Sequence, residues 1–269
     1  MSIPRGISDG RPGLGEWCIL SGYRGSIAHG TYVPPKNPLS TDDKDAMAIC
    51  VPPPQYYLGL REYGSRGTVE IKVNEWDIVV YEIKKMIRLL SQGNPNVLMM
   101  LWLEPNHYLC REPAGQLLLS HRSLFVGKHV YRSFVGYAVA QSRKMEQFNK
   151  MGYMGAKRKK LVQQYGYDTK NASHLIRLLR MGIEFLNDGE MYVMRHDAPE
   201  LTAIKQGEWS LDKVKEESER LFQVAEQAYL QSKLPANPDK EKVSTLCEDI
   251  IRTAWQDRES DCGECGGPR

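Results

Sequence analysis

The stretch that decides the fold of this chain is residues 40–49, STDDKDAMAI, where two aspartates stand one residue apart ahead of an apolar run. Alternate residues of a β-strand project to one face, so the stretch predicts that Asp43 and Asp45 point the same way. Two carboxylates held side by side repel each other unless a cation lies between them, and divalent ions such as Mg²⁺ prefer such oxygen ligands. The stretch predicts a metal site at the start of a buried strand. A solvated turn is the alternative reading.

Two further features bear on this site. A Gly25–Ser26 pair follows a strand-like run at 17–21, WCILS, and such a turn offers backbone N–H groups and a hydroxyl to a phosphate. Asp77 lies between apolar neighbours in a second strand pattern at 75–81, EWDIVVY. An acid there is costly unless it is paired or bound to metal, so Asp77 is predicted to be a third metal ligand or the partner of a lysine. Metal and phosphate groups together indicate nucleotide chemistry.

A cationic row follows in the second half of the chain. Lys170, His174 and Arg177 fall at i, i+4 and i+7 of a helical pattern and share one face. Asp168 precedes them as a predicted N-cap, which places Lys170 at the positive end of the helix dipole. Residues 142–180 carry ten Lys or Arg against two acids. A triphosphate or a polyanion is the natural partner of such a segment, and a solvated helix face is the alternative.

The composition is that of an ordinary globular protein, with 269 residues, 41% hydrophobic, 26% charged and a net charge of +3. No apolar run approaches the roughly 18 residues of a membrane helix, and the N-terminus has no signal-peptide core. We therefore expect a cytoplasmic protein without a membrane partner. Cys18, Cys50 and Cys110 lie in apolar runs and are expected to be reduced core residues. Cys262 and Cys265 have the spacing of a metal site, but a flexible tail is the favoured reading.

The order of the patterns predicts an α+β fold. Strands and helices alternate in the first part of the chain, with one strand over 68–73, whereas strand signals largely disappear after about residue 115. One further short strand is predicted at 191–194. The predicted segments are a flexible lead-in at 1–15, a core of mixed strands at 16–112, a mostly helical part at 113–255 and a flexible tail at 256–269.

These motifs together resemble the DNA polymerase β-like nucleotidyltransferase superfamily. One branch of it, predicted nucleotidyltransferases of bacteria and phages that are linked by genome context to RNA repair, is the most similar. The resemblance covers roughly residues 17–210. The motifs that carry it are GS at 25–26, AHGT at 28–31, DKD at 43–45, WDIVVYE at 76–82, GNPNVL at 93–98 and YDTKNASHLIRLL at 167–179.

The resemblance implies a polymerase-β-like core, a mixed sheet flanked by helices, at 16–112. A helical domain at 113–255 would complete the nucleotide and acceptor site. It also implies two Mg²⁺ or Mn²⁺ ions and an NTP such as ATP as substrate. The implied catalytic and metal-binding residues are Asp43, Asp45 and Asp77, and the implied nucleotide-binding residues are Gly25, Ser26, Lys170, His174 and Arg177.

The sequence therefore predicts a metal-dependent nucleotidyltransferase that moves a nucleoside monophosphate to an acceptor hydroxyl and releases pyrophosphate. The basic segment favours an RNA or tRNA end as acceptor, while a protein hydroxyl, as in adenylylating enzymes, and a small molecule stay open. Sixteen residues separate Ser26 from Asp43, a long spacing for the superfamily that leaves acceptor size open. A non-catalytic nucleic-acid-binding module on the same fold is the alternative from a different class, and a phosphohydrolase is a third possibility.

Overall fold

The structure is a computed structural model that describes residues 17–34, 43–146 and 156–263. The side chains at 146, 156–158 and 259–263 lie outside the description, as does the predicted lead-in at 1–15. The described chain forms one mixed β-sheet with helices packed against it, followed by a mostly helical part, which confirms the predicted α+β fold.

The sheet has five strands in the spatial order β3-β4-β2-β1-β5. Strands β2 and β4 are parallel, and the other neighbouring pairs are antiparallel. The strand at 68–73 forms as predicted. The strand bounds are β1 Cys18–Tyr23, β2 Lys44–Cys50, β3 Thr68–Val73, β4 Trp76–Glu82 and β5 Tyr108–Arg111.

Eleven α-helices lie within the described residues, together with short 3-10 turns at Met99–Trp102, Pro105–His107 and Arg122–Phe125. Their bounds are α1 Gly25–Ala28, α2 Gln55–Leu58, α3 Ile83–Ser91, α4 Pro95–Leu98, α5 Pro113–Ser120, α6 Val130–Glu146, α7 Ala156–Tyr165, α8 Thr169–Asp188, α9 Ala198–Lys205, α10 Leu211–Gln231 and α11 Lys240–Gly263.

Local signals explain the ends of the helix that carries the cationic row. The Asp168 side chain accepts a hydrogen bond from the Asn171 backbone N–H at 3.2 Å and so caps α8. The helix ends where Gly189 adopts a left-handed φ of 72°. The apolar face of α8 packs against α6, α9 and α10, with Leu175 and Phe185 fully buried. The opposite face is thereby left for the cationic residues.

The strand predicted at 191–194 does not form, and this prediction is wrong. Met191 and Val193 are buried while Tyr192 and Met194 are exposed, so the burial does alternate as in a strand. The segment pairs with no strand of the described chain. The Val193 carbonyl instead accepts a hydrogen bond from the His29 ring. The alternation of buried and exposed residues therefore explains why this segment has the sequence pattern of a strand.

The hydrophobic core continues from the sheet into the helical part without a break at residue 112. Leu20 and Ile78 of the sheet and Tyr167 of the helical part belong to one cluster. The predicted domain boundaries stay a prediction. Helix α11 runs to Gly263, past residue 256 where a tail was predicted, and Cys265 lies outside the described residues.

Cys18 and Cys50 are buried free thiols, and Cys110 is a half-buried one. The thiols thus have the reduced state that their apolar surroundings predicted. None of the described helices is long and apolar enough to cross a membrane.

Candidate functional site

The predicted carboxylates share one face of the sheet. Strands β2 and β4 run parallel with Asp45 paired to Asp77, and directly paired residues project from the same face. Asp43 lies one residue before β2, in alternation with Asp45, and is exposed. The three residues therefore lie at the N-terminal ends of two adjacent strands.

Arg24 joins two of these carboxylates. Its Nη2 lies 3.6 Å from Asp45 Oδ1 and 3.6 Å from Asp77 Oδ1, so the two oxygens are no farther apart than the sum of these distances. The Arg24 backbone N–H also donates to the Asp45 carbonyl at 3.0 Å. Lys72 Nζ lies 3.9 Å from Asp77 Oδ2, so Asp77 also has the lysine neighbour that the sequence left open.

The electrostatics of Asp45 show how closely the acids interact. The pKa of Asp45 is raised from 3.8 to about 6, and burial is the largest cause. The charges of Asp77 and Asp43 also raise this pKa, while those of Arg24 and Lys170 lower it. A divalent cation would relieve this repulsion, and carboxylate oxygens are suitable donors for Mg²⁺ or Mn²⁺. The donor chemistry thus fits such an ion. Among the described residues, however, no three His, Cys, Asp or Glu side chains converge into a preformed metal cage.

The Gly25–Ser26 turn lies directly against Asp45. Gly25 has a φ of +61°, and a Cβ added to it would lie 2.4 Å from Asp45 Oδ2. Only glycine fits both the backbone conformation and this approach. The turn is closed by the Thr31 N–H, which donates to the Ser26 carbonyl at 2.9 Å. Because Gly25 has no side chain, the backbone of the turn can lie directly against Asp45.

A cleft of about 410 Å³ joins this turn to the cationic row. Six of the predicted residues line it, namely Gly25, Ser26, Asp45, Lys170, His174 and Arg177. Asp43 and Asp77 are absent from its lining, although Arg24, which contacts Asp77, is part of it. The structure thus brings residues from both ends of the predicted motif set to one opening.

Arg177 is the distinctive cation of the cleft. Its guanidinium Nη1 contacts Met181 Sδ at 3.3 Å, and no carboxylate of the described chain lies within ion-pair range of it. The pKa of Arg177 is lowered from 12.5 to about 10, chiefly by burial and also by the charge of Arg195, while Asp197 opposes the shift. A partly buried cation with no paired anion among the described residues is costly, so this group is prepared for an anionic ligand.

Neighbouring arginines of the helical part differ from Arg177 in this respect. Arg180 forms ion pairs with Asp197 at 2.8 Å and Glu217 at 3.2 Å. Arg195, whose side chain is fully buried, is paired with Glu184 and Asp197. Carboxylates are therefore available in this part of the molecule, but they neutralise other arginines.

His29 forms part of the lining of the cleft and was not predicted as a site residue. Its Nδ1 lies 3.0 Å from the Val193 carbonyl. Burial holds the pKa of His29 well below 6.5, and Arg177, His174 and Arg195 lower it further. The ring is therefore neutral and donates from Nδ1, which holds the 28–31 turn against the helical part.

Helix α6 contributes residues that sequence reasoning missed. Tyr137, Gln141 and Lys144 line the cleft at i, i+4 and i+7, the same spacing as the cationic row on α8. Asn96 of α4 also lines it. The spacing of these polar residues could have indicated a polar face of α6, but the sequence does not show which helix this face lies opposite. Lys159 and Lys160, which belong to the basic segment 142–180, are not among the lining residues, and the side chains at 157 and 158 lie outside the described residues.

A protein family and a solved structure are similar to this chain. The family model described as RlaP, RNA repair pathway DNA polymerase beta family, matches residues 19–245. Among solved structures, a nucleotidyltransferase-like protein from Exiguobacterium sibiricum 255-15 is similar at 11% sequence identity, with a TM-score of 0.27 over 80% of this chain and 69% of that chain. No curated protein matches the sequence.

Proposed function

The chain belongs to the RNA repair pathway DNA polymerase beta family, and we propose that it transfers a nucleoside monophosphate from an NTP to a hydroxyl of RNA in a reaction that needs divalent metal. As a member of this family it is a nucleotidyltransferase. The observation that supports the finer proposal is the parallel register of β2 and β4, in which Asp77 is paired with Asp45, a residue that lines the cationic cleft.

In this proposal Asp45 and Asp77 hold the divalent ions, and Asp43 contributes from the end of β2. When bound, such ions supply charge stabilisation for the attacking and the departing oxygens. Asp77 also orients the acceptor hydroxyl. Arg24 offsets the charge of Asp45 and Asp77 in the described state, and a bound metal ion would take over this role, because both cations are attracted to the same carboxylates.

The triphosphate lies between the Gly25–Ser26 turn and α8. The turn offers backbone N–H groups and the Ser26 hydroxyl, while Lys170, His174 and Arg177 face it from across the cleft. A phosphate would supply the anion that Arg177 lacks among its described neighbours. Charge that develops on the departing pyrophosphate is then offset by fixed cations, which is the main contribution a protein makes to phosphoryl transfer.

RNA is the acceptor that we favour. The family is described as belonging to an RNA repair pathway. The segment 142–180 also carries ten Lys or Arg against two acids, which suits a phosphate backbone. Release of pyrophosphate rather than phosphate follows from attack at the α-phosphorus.

The test is to incubate the protein with each α-phosphorus-labelled NTP in turn, Mg²⁺ and RNA with free hydroxyl ends. The variant is Asp77→Asn, and the matched control is Asp212→Asn, an exposed acid in the first turn of α10. We expect Asp77→Asn to lose on the order of a hundredfold or more of the transfer rate, and Asp212→Asn to keep it.

Equal labelling of RNA by wild type and Asp77→Asn would refute the mechanism. Label on protein instead of RNA would reassign the acceptor. RNA binding without transfer of any nucleotide would favour a non-catalytic module, and free phosphate in place of pyrophosphate would indicate hydrolysis.

A further inference from the structure

A second cleft lies at the far end of β4 from the acidic site. It encloses about 330 Å³ between the tyrosine-rich loop 55–67 and the start of α3, with Glu82 on its wall. Glu82 is the last residue of β4, and Asp77 is the second. Four strand residues lie between them, so the two are five residue steps apart, roughly 16 Å at the usual rise. The two clefts share no lining residue, so the second is a separate site.

Cations dominate the second cleft. Arg61, Arg66, Lys84, Lys85 and Arg88 line it, and all except Lys85 are exposed. No carboxylate of the described chain forms an ion pair with any of the five. Like charges gathered at one opening repel each other unless an anion binds between them.

The acids of the second cleft do not neutralise these cations. Glu82 is engaged within the fold, since its carboxylate accepts hydrogen bonds from the backbone N–H groups of Lys84 at 2.9 Å and Lys85 at 3.1 Å. The Tyr57 hydroxyl donates to it at 2.8 Å. Glu82 thus caps α3 and positions Tyr57. Glu62 is the other acid of the lining, so the cations outnumber the carboxylates.

Aromatic and apolar groups accompany these cations. Tyr56, Tyr57 and Tyr63 line the cleft, and Lys84 Nζ lies 4.8 Å from the centre of the Tyr57 ring. Leu58 and Leu60 of the same loop are 84% and 102% exposed. Cations for phosphates beside aromatic and apolar surface for bases are typical of single-strand nucleic-acid binding. An acidic peptide would need the cations but not this surface.

We propose that the second cleft binds a single-stranded segment of RNA, with its phosphates on the arginine and lysine side chains and its bases on the partly exposed rings of Tyr56 and Tyr57 and on the exposed Leu58 and Leu60. This inference rests on the proposed function in taking RNA as the acceptor. It adds a second contact for that acceptor, separate from the reacting end. The enzyme would thereby select polymeric RNA over free nucleosides.

The test measures binding of labelled oligouridine to the full chain by fluorescence anisotropy, without NTP, across a salt series. The variant Arg61→Gln/Arg66→Gln/Arg88→Gln removes three cations of the cleft. The matched control Lys233→Gln/Lys240→Gln/Lys242→Gln removes three exposed cations elsewhere. Each lost phosphate contact lowers the slope of log K against log salt by about 0.7. We therefore expect the cleft variant to bind on the order of ten- to a hundredfold more weakly with a slope smaller by about 2.

A second variant separates charge from surface. Leu58→Ser/Leu60→Ser changes two exposed side chains, so the fold should be unaffected. We expect weaker binding with an unchanged salt slope, because no phosphate contact is lost.

Several results would overturn the proposal. The cleft variant and its control could bind equally weakly, or the cleft variant could bind like the wild type at every salt concentration. The wild type could fail to bind oligouridine, or the leucine variant could keep full affinity. Poly-glutamate could also displace oligouridine as effectively as RNA does. The last result would assign the cleft to an acidic protein. These binding measurements do not depend on nucleotide transfer. The transfer activity of Asp77→Asn therefore tests the proposed function, whereas binding of oligouridine by the cleft variant tests the second site.

Discussion

Replacing Arg177 with methionine should raise the stability of the nucleotide-free protein while weakening its binding of a triphosphate. Burial lowers the pKa of this guanidinium from 12.5 to about 10, which corresponds to about 3 kcal/mol against the charged form. The side chain is only partly buried in the structure, so solvent relieves part of that cost. Methionine keeps the apolar stem beside Met181. We therefore expect Arg177→Met to gain on the order of 1 kcal/mol of unfolding free energy.

The same change should cost nucleotide affinity. A hydrogen bond from a charged group to a phosphate contributes about 1.5–3 kcal/mol, so loss of the Arg177 contact predicts roughly ten- to a hundredfold weaker binding. The assay is thermal unfolding of the nucleotide-free protein, combined with calorimetric titration by a non-hydrolysable NTP. A gain of about 1 kcal/mol raises the melting temperature by about 2–4 °C in a chain of this size.

Arg180 is the matched control on the same helix. It is paired with Asp197 and Glu217, so Arg180→Met removes one cation from each of these carboxylates, while Arg195 still pairs with Asp197 and Arg220 with Glu217. We expect a loss on the order of 2 kcal/mol and unchanged nucleotide binding. If Arg177→Met has a lower melting temperature than the wild type and binds the NTP as tightly, then Arg177 is a packing residue and does not form an anion site.

Three further predictions concern groups around the same cleft. Gly25→Ala places a Cβ 2.4 Å from Asp45 Oδ2 at a φ of +61°; we expect about 1–2 kcal/mol of destabilisation in denaturant titration and a loss of transfer activity well beyond it. The pKa of buried His29 is held well below 6.5, so only the unfolded chain takes up this proton as pH falls below about 6.5. Wild-type stability should therefore decline there by up to about 1.4 kcal/mol per pH unit relative to His29→Asn. Asp168→Ala removes the cap of α8 and should cost about 1 kcal/mol in urea titration.

Each of these has a result that contradicts it. Normal transfer by Gly25→Ala would mean that Asp45 tolerates displacement and does not act in the reaction. Parallel stability curves of wild type and His29→Asn between pH 5 and 7 would show that His29 titrates normally in the folded state. For the α8 cap, Asn171→Ala is the comparison, because the Asp168 side chain also accepts from the Asn171 side-chain amide at 3.1 Å. A smaller loss in Asp168→Ala than in Asn171→Ala would place the stabilising contact elsewhere.

Features that depend on neighbouring residues were predictable. The alternation of 68–73 corresponds to β3 as observed, and the predicted N-cap at Asp168 forms, with its side chain accepting from the Asn171 N–H. The 191–194 segment shows where such reasoning fails. Its burial alternates, but a strand also needs a partner edge, and the Val193 carbonyl bonds to His29 instead. Alternation reports burial, whereas a β-ladder is a long-range property.

The amino-acid sequence alone determined the α+β class, the acidic pair at 43 and 45 and the cationic face of α8, because strand alternation, helical period and capping act over a few residues. Only the tertiary structure decided that Asp77 stands beside Asp45, that Arg24 contacts both, and that no carboxylate of the described residues pairs with Arg177. Those facts depend on which strands pair and which helices pack, and such contacts join segments far apart in the chain. Pairing is selected by the free energy of the whole core, which no local pattern contains.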